Sequence, residues 1–195
     1  MHPERVKLDI DNEIDGFERT TLNRLLSSFE SIEFEAIEKR KSFLEKKSKN
    51  FNPDIDDEAC IEEYGYSEKL NHIVFEQKLK QEFLNSTAIW LFHLFERQKK
   101  RVLGTDKTDP LKFLLAQDHY DLDSCSDWLT LNKELRFAAN TIKHGNKSDA
   151  AKKLRLNYPS LVVGGNVVIS KGDIQRYLNA LREFWVKALD GKVVL

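Results

Sequence analysis

The sequence predicts an all-α protein: a helical bundle with two long helices, shorter C-terminal helices and one small inserted β-hairpin. The 195 residues include only eight glycines and four prolines, while 41% of residues are hydrophobic and 32% are charged. Apolar residues recur at intervals of three and four over most of the chain, which is the helical period. Turn-forming residues interrupt this pattern at few positions. The length suits one core, so we expect a single domain over residues 1–195.

The first half of the chain predicts two long helices separated by an acidic loop. Residues 1–14 are expected to form an arm, in which alternating apolar residues suggest a short strand or an extended lead-in. The first long helix covers residues 15–48, and the acidic loop covers residues 50–66. The second long helix covers residues 67–103. Its middle is apolar nearly all round, which is typical of a helix buried by several neighbours, so we expect it to be central.

A third amphipathic helix is predicted between Ser126 and Gly145. Ser126 is a favourable N-cap, and Gly145 is suited to the left-handed conformation that ends many helices. A stripe of apolar residues at helical spacing faces the core, and it consists of Trp128, Leu131, Leu135, Ala138, Ala139 and Ile142.

Shorter elements surround this helix. A short helix is predicted over residues 110–117, and Ser148 is expected to cap a short basic helix. Two β-branched runs around Gly164-Gly165 predict a β-hairpin over residues 161–170. A final helix follows and is expected to stop at Gly191. We expect one core to contain Trp90, Phe92, Phe95, Trp128, Leu135, Leu181 and Trp185.

Charge is distributed unevenly along the chain. The formal net charge is −1, so the chain as a whole is not a polycation of the kind that binds nucleic acid. However, residues 131–160 carry seven basic residues against two acidic ones, a local net charge of +5. This segment favours an anionic partner or is a solvated face. The candidate phosphate-binding residues are Lys133, Lys143, Lys147, Lys152, Lys153 and Arg155.

Several classes of function are disfavoured by the motifs. The two cysteines, Cys60 and Cys125, form no metal-ligand spacing, and we expect neither a metal nor a cofactor. No nucleophile elbow, dinucleotide fingerprint or phosphate-binding loop is found. The absence of a secretory signal and of a long apolar run predicts a cytoplasmic protein without a membrane partner.

The most informative polar residues form a row of Arg136, Asn140 and His144, in which Asn140 and His144 lie roughly opposite the apolar stripe and Arg136 lies on its flank. Arg holds phosphate with a fixed fork of donors, His transfers protons near neutral pH, and Asn both donates and accepts. These groups suit phosphodiester cleavage without a metal, in which a 2′-hydroxyl attacks the adjacent phosphate. The alternative is a row of polar residues on a solvated face. His93 and Glu96 are supporting candidates, with His93 either in the core or lining a cleft.

A helical bundle with a late helix ending in Asn140-Thr-Ile-Lys-His144-Gly145 resembles the HEPN superfamily (higher eukaryotes and prokaryotes nucleotide-binding). The resemblance implies an all-α and often dimeric domain, in which the dimer brings two copies of the site into one cleft. Many members are metal-independent ribonucleases of bacterial toxin–antitoxin and phage-defence systems. The family motif has four to six residues between Arg and His, whereas seven separate Arg136 from His144. The family often has an acidic residue on the facing helix, and the resemblance implies Glu96 as its counterpart by its place on the central helix.

The sequence therefore leaves two functions of different classes open, and a nucleotide-binding module is a third. The first is a HEPN-like metal-independent endoribonuclease or RNA-binding effector of a bacterial defence, stress or toxin–antitoxin system, in which Asn140 takes the family's polar position. Its expected partners are RNA, a second copy of the chain and a protein such as an antitoxin. The second is a non-catalytic dimeric helical scaffold or regulatory interaction protein.

Overall fold

The computed structural model describes residues 3–116 and 121–189. These ranges are helical throughout except for short connections and one two-stranded antiparallel hairpin, which confirms the predicted fold class. The α-helices are α1 (Pro3–Glu18), α2 (Ile32–Lys49), α3 (Glu58–Leu103), α4 (Thr108–Ala116), α5 (Ser126–Leu129), α6 (Arg136–His144), α7 (Asp149–Asn157) and α8 (Lys171–Leu189). Two segments are π-helical, Arg19–Leu25 and Thr130–Leu135, and two are 3-10 helical, Leu26–Ser31 and Pro159–Leu161.

The N-terminal residues form a helix, and the prediction of an arm with a strand over residues 1–14 is wrong for the described residues. Val6, Ile10 and Ile14 are buried at intervals of four, whereas Leu8 is exposed. The helical period over three turns therefore outweighs the short alternation of Val6, Leu8 and Ile10. The predicted helix over 15–48 is divided, because a π-helical and a 3-10 segment lie between α1 and α2.

The second long helix begins at Glu58, so residues 58–66 of the predicted acidic loop are helical. The Asp57 carboxylate accepts the Ala59 backbone N–H at 2.9 Å. Acidic side chains at a helix start satisfy free N–H groups and interact favourably with the helix dipole. The acidic run is therefore the beginning of α3 as well as the end of the loop.

The chain divides into two compact units, and α3 contributes to both. Unit 2, Asn23–Glu82, contains α2 and the first part of α3. In this unit a Cβ added to Gly65 would lie 3.0 Å from the Leu44 side chain, so the two helices approach closely there. The Arg40 guanidinium lies 2.6 Å from the Glu62 carboxylate. Unit 1 comprises Met1–Leu22 and Phe83–Leu195.

An aromatic cluster forms the centre of unit 1. The rings of Phe95 and Phe184 meet edge to face at 5.3 Å between centroids, and Trp128 lies 6.0 Å from Phe95. Of the predicted core residues, Phe92, Phe95, Trp128, Leu135, Leu181 and Trp185 are buried. Trp90 is 59% exposed, so its placement in the core is wrong. Because α3 is covered on only part of its surface, the nearly continuous apolar run around Trp90 does not make every residue internal.

The hairpin is formed by β1 (Val162–Val163) and β2 (Asn166–Val167). Gly164 and Gly165 both have positive φ, at 56° and 82°, as a tight hairpin turn requires. Asn85 of α3 fixes the second strand: its amide N–H donates to the Val167 carbonyl at 3.1 Å. Its amide oxygen accepts the Ile169 N–H at 3.2 Å. The hairpin therefore packs on the helices of unit 1.

The predicted Ser126–Gly145 helix has a wide turn within it, because the π-helical segment Thr130–Leu135 joins α5 to α6. Its N-cap is Cys125 and not Ser126, which is the first helical residue. Gly145 has a positive φ of 85°, which favours glycine, but its ψ of 170° lies outside the left-handed helical conformation that the sequence predicts there. Ser148 accepts the Ala151 N–H at 3.2 Å and caps α7, which is as predicted.

The short helix predicted over residues 110–117 begins two residues earlier and is described to Ala116. The predicted stop at Gly191 lies outside the described residues. Within the part of the chain that the structure describes, no helix has both the length and the apolar character needed to cross a membrane.

Candidate functional site

The polar row of Arg136, Asn140 and His144 lies on α6, which is a regular α-helix over its whole length. The three residues are spaced by four, so successive members lie about 6 Å apart along the helix axis and about 40° apart around it. Arg136 and Asn140 are half-buried, and His144 is exposed. Within residues 3–116 and 121–189, none of the three side chains has a hydrogen-bond or ion-pair partner. These groups are therefore available to a ligand.

The opposite face of α6 is fixed to the interior. Ala138, Ala139 and Thr141 are buried, and the Thr141 hydroxyl donates to the Phe137 carbonyl at 2.7 Å. The small alanine side chains allow neighbouring elements to approach this face closely. The amphipathic pattern that predicts the polar row is thus matched by burial on the other side.

A buried ionic group anchors the π-helical segment before α6. Glu134 accepts from the Arg176 guanidinium at 3.1 Å and from the Tyr177 hydroxyl at 2.9 Å. Burial raises the pKa of Tyr177 well above its usual range, and the Glu134 charge raises it further. The phenol therefore stays protonated and continues to donate. These bonds attach the start of α6 to α8.

The end of α6 is tied to the hairpin and to α7. The Asn146 side-chain amide donates to the Asn166 side chain at 3.0 Å, and the Asn146 carbonyl accepts from Arg155 at 3.0 Å. His144 lies just before Gly145 at this junction. Both ends of the candidate site are thus held by side-chain hydrogen bonds.

Three of the candidate phosphate-binding residues are free. Lys133, Lys143 and Lys147 are exposed, and none has a hydrogen-bond or ion-pair partner among the residues that the structure describes. Lys143 lies next to His144 in the last turn of α6, where a positive charge is favoured by the helix dipole. Their ammonium groups are available to an anionic ligand.

The other three are engaged within the chain. Arg155 holds the Asn146 carbonyl, as described above. The Lys152 ammonium lies 3.1 Å from the Asp149 carboxylate, in an exposed pair. The Lys153 ammonium lies 5.8 Å from the centre of the Phe137 ring, which is within range of a cation–π interaction. Lys153 therefore covers the flank of α6 as well as adding charge to it.

His93 and Glu96 form an exposed pair on α3. The His93 Nδ1 lies 3.1 Å from the Glu96 carboxylate, and the His93 side chain is about half exposed. The first alternative for His93, a core residue, is therefore wrong. Among the described residues, neither side chain has a hydrogen bond or ion pair with the polar row of α6. Glu96 and Arg136 nevertheless act electrostatically on the same group, the ammonium of Lys99.

Lys99 is a buried lysine in the centre of unit 1. The residue is 2% exposed, and its ammonium lies 4.4 Å from the Phe95 ring centre and 5.4 Å from that of Trp128. It donates to the Asp106 carbonyl at 3.4 Å. Burial lowers the pKa of Lys99 to about 8, while the nearby charges of Glu96 and Asp106 oppose this shift and Arg136 reinforces it. Lys99 thus lies against the aromatic core and is close enough to Arg136 to be affected by its charge.

The chain matches no protein-family model, no curated protein and no solved structure. The function must therefore be inferred from the geometry of the molecule itself.

Sequence reasoning did not identify Lys99 or Glu134 as functional or structural groups. Charged residues are normally placed on the solvent side of a helix. The spacing of Lys99 does indicate burial. Lys99 follows Phe95 by one turn and precedes Val102 by three residues, and both of these residues are buried. Within the described residues, no cluster of three or more His, Cys, Asp or Glu side chains is arranged to hold a metal ion.

Proposed function

We propose that the polar face of α6 binds RNA and cleaves it without a metal, as a HEPN-like ribonuclease. The observation that carries the proposal is the row of Arg136, Asn140 and His144, whose side chains are accessible and have no partner among the described residues. Three free lysines flank the row. Three different polar side chains that make no hydrogen bond or ion pair with the described residues suggest a ligand, and the flanking charge suggests an anionic one.

The proposed reaction is an internal transesterification. The ribose 2′-hydroxyl loses its proton to a base, and the 2′-oxygen attacks the adjacent phosphorus. The bond from phosphorus to the 5′-oxygen breaks, and an acid protonates the departing 5′-oxygen. The products are a 2′,3′-cyclic phosphate and a 5′-hydroxyl. His144 suits either proton transfer, because imidazole exchanges protons near neutral pH.

The spacing of the row assigns different roles to Asn140 and Arg136. Arg136 lies about 12 Å from His144 along the helix axis, and helical side chains lean towards the N-terminus. Arg136 therefore leans away from His144 and is placed to hold a neighbouring phosphate. Asn140 lies one turn from His144 and is placed to orient the reacting phosphate by donating a hydrogen bond.

A homodimer would complete the site, since one His144 cannot act as base and acid in the same step. A second copy of the chain would supply the other proton-transfer group from its own α6. The HEPN resemblance extends the proposal to a role in bacterial defence, stress or toxin–antitoxin function, with an antitoxin as a protein partner. A non-catalytic scaffold remains the alternative outcome of the tests below.

The direct test is the replacement of His144 by alanine. We expect His144→Ala to reduce metal-free cleavage of a short RNA by at least about a hundredfold, because general acid–base catalysis contributes that much or more. Binding should be nearly unchanged, since proton transfer stabilises the transition state more than the bound substrate. Cleavage is measured in the presence of a chelator, with Lys171→Ala purified in parallel as an exposed control. Equal cleavage by wild type and His144→Ala would assign the activity to another site or to a contaminant.

A second prediction separates binding from chemistry. The double replacement Lys143→Ala/Lys147→Ala should weaken binding to all single-stranded RNAs alike. It should also lower the slope of log affinity against log salt by about 1.4, because two phosphate contacts are lost. The matched control is Lys46→Ala/Lys47→Ala, which removes the same charge from α2. If neither pair changes the slope, or if no RNA binds at low salt, the scaffold alternative is favoured.

A further inference from the structure

A second candidate site lies in unit 1, in a groove between α1 and the last third of α3. The groove has a volume of about 610 Å³, which is within the range of small-molecule sites. One wall is formed by α3 residues at helical spacing, including Trp90, Leu94 and Arg97. The other is formed by α1, including Gly16 and Phe17. These residues are separate from the polar row on α6.

Trp90 presents an unoccupied aromatic surface to this groove. It is 59% exposed, whereas Trp128 and Trp185 are 1% and 2% exposed. Trp90 makes no ring contact or hydrogen bond with another residue in the described ranges. The next two groove residues of the α3 wall are Leu94, which is 5% exposed, and Arg97, so a cationic group follows the indole along this wall. A planar aromatic ligand would stack on this surface.

Gly16 leaves the floor of the groove open. It lies inside α1, where glycine is less favourable than every residue except proline. A Cβ added to Gly16 would meet no heavy atom within 4 Å, so close packing does not require the glycine. Its φ is not positive, so the backbone does not require it either. The consequence of the missing side chain is therefore space in the groove.

Among the described residues of the groove, one arginine is hydrogen-bonded to a carboxylate and the other is not. Arg101 donates to both carboxylate oxygens of Glu13, and Gln98 donates to Glu13 at 3.0 Å. The Gln98 amide oxygen accepts from the buried Trp185 indole at 2.8 Å, which fixes this network to the core. Arg101 and the hydrogen bond from Gln98 hold the pKa of Glu13 below its usual range despite burial, which opposes the shift. Arg97 lines the same groove and also lowers the pKa of Glu13 through its charge, but it has no hydrogen-bond or ion-pair partner in the described part of the chain.

We propose that this groove binds a nucleoside phosphate, with the base stacked on Trp90 and the phosphate bound by Arg97. Arg97 lies two turns after Trp90 on the same face of α3, and its side chain leans back towards Trp90. The groove thus offers an aromatic surface for stacking and, along the same face of α3, a guanidinium that can donate hydrogen bonds to a phosphate. Two sources share this ligand chemistry: a free nucleotide and one nucleotide unit of an RNA strand.

Tryptophan fluorescence provides a specific test on the full chain, because Trp90 is the exposed indole among the three tryptophans. Titration with adenosine 5′-monophosphate should quench Trp90 with a dissociation constant on the order of 10 µM to 1 mM. Adenosine should bind at least about fivefold more weakly, because it lacks the negatively charged phosphate that Arg97 is proposed to bind. Inorganic phosphate alone should leave the fluorescence unchanged.

Two variants test the groove by calorimetry. Gly16→Leu should fill the groove and weaken binding of the monophosphate at least about tenfold, and Leu is a favourable helix residue, so the fold should be kept. Arg97→Gln should weaken binding of the monophosphate until its affinity equals that of adenosine. Phe113→Ala and Lys171→Gln, which remove an exposed aromatic and an exposed charge elsewhere, should bind as the wild type does.

A single-stranded oligoadenylate distinguishes the two sources. Tighter binding of the oligonucleotide, lost in Trp90→Ala, assigns the groove to RNA, whereas equal affinity assigns it to a free nucleotide. The proposal is overturned if about 5 mM monophosphate leaves Trp90 fluorescence unchanged, or if both Gly16→Leu and Arg97→Gln bind like wild type. None of these measurements depends on RNA cleavage, so the outcome is independent of the function proposed for α6.

Discussion

Replacing Leu135 with aspartate is expected to lower the free energy of unfolding by about 4 kcal/mol or more. Leu135 is 0% exposed and ends the π-helical segment before α6. The substitution places a carboxylate in the core without a cationic partner, and it removes apolar side-chain contacts at the same time. Ordinary domains are stable by about 5–15 kcal/mol, so this loss is a large fraction of the total.

Urea unfolding, followed by the fluorescence of the buried Trp128 and Trp185, measures this effect. Leu135→Ala should cost about 2–5 kcal/mol, since it creates a cavity without burying a charge. The matched control is Leu156→Asp on α7: Leu156 is 82% exposed, and a surface change of this kind should stay within about 0.5 kcal/mol. If Leu135→Asp and Leu156→Asp unfold at the same urea concentration, the assignment of the buried face of this helix is wrong.

The lowered pKa of Lys99 predicts that the free energy of unfolding rises between about pH 8 and pH 10.5, and that a Lys99→Met variant lacks this rise. In the folded protein burial lowers the pKa of Lys99 from 10.5 to about 8. Between these values the unfolded chain binds a proton that the folded chain does not, so stability increases with pH. Below pH 8 both states are protonated and the contribution is absent, and above pH 10.5 it is complete. A shift of this size corresponds to about 3 kcal/mol.

The measurement is the difference in unfolding free energy between wild type and Lys99→Met at several pH values across this window. Subtracting the variant removes the titration of the other lysines and of the tyrosines, which also occurs at alkaline pH. Lys100→Met changes an exposed neighbour on α3 and should follow the wild-type curve. Parallel curves for wild type and Lys99→Met would mean that the lysine is as well solvated in the folded protein as in the unfolded chain.

The fold class follows from the sequence because the helical period and the scarcity of Gly and Pro act over long stretches of chain. Local errors arise where two patterns compete. Residues Val6, Leu8 and Ile10 alternate like a strand, and the next turn is needed to show that Ile14 continues the helical face. The apolar neighbours of Trp90 predict that it lies in the core, because the sequence does not show which side of α3 lacks a covering helix.

The composition of the polar row on α6 was also visible in the sequence, because Arg136, Asn140 and His144 recur at a spacing of four. Its role stays a prediction. The burial of Lys99 and Glu134 could not be predicted for a physical reason. Both residues are charged, and burial of a charge depends on partners distant in the sequence. Glu134 finds its partner Arg176 forty-two residues later, on α8.

The wide turn at Thr130–Leu135 determines the direction in which α6 presents its side chains. Each residue advances an α-helix by about 100°, and a π-helical turn accommodates one residue more than an α-helical turn. Deleting one residue from this segment would rotate α6 about its axis by roughly that angle relative to α5. Ala138 and Ala139 would then turn away from the interior, and the row ending at His144 would be carried towards it. The orientation of the candidate site thus depends on the length of a segment that contributes none of its three residues.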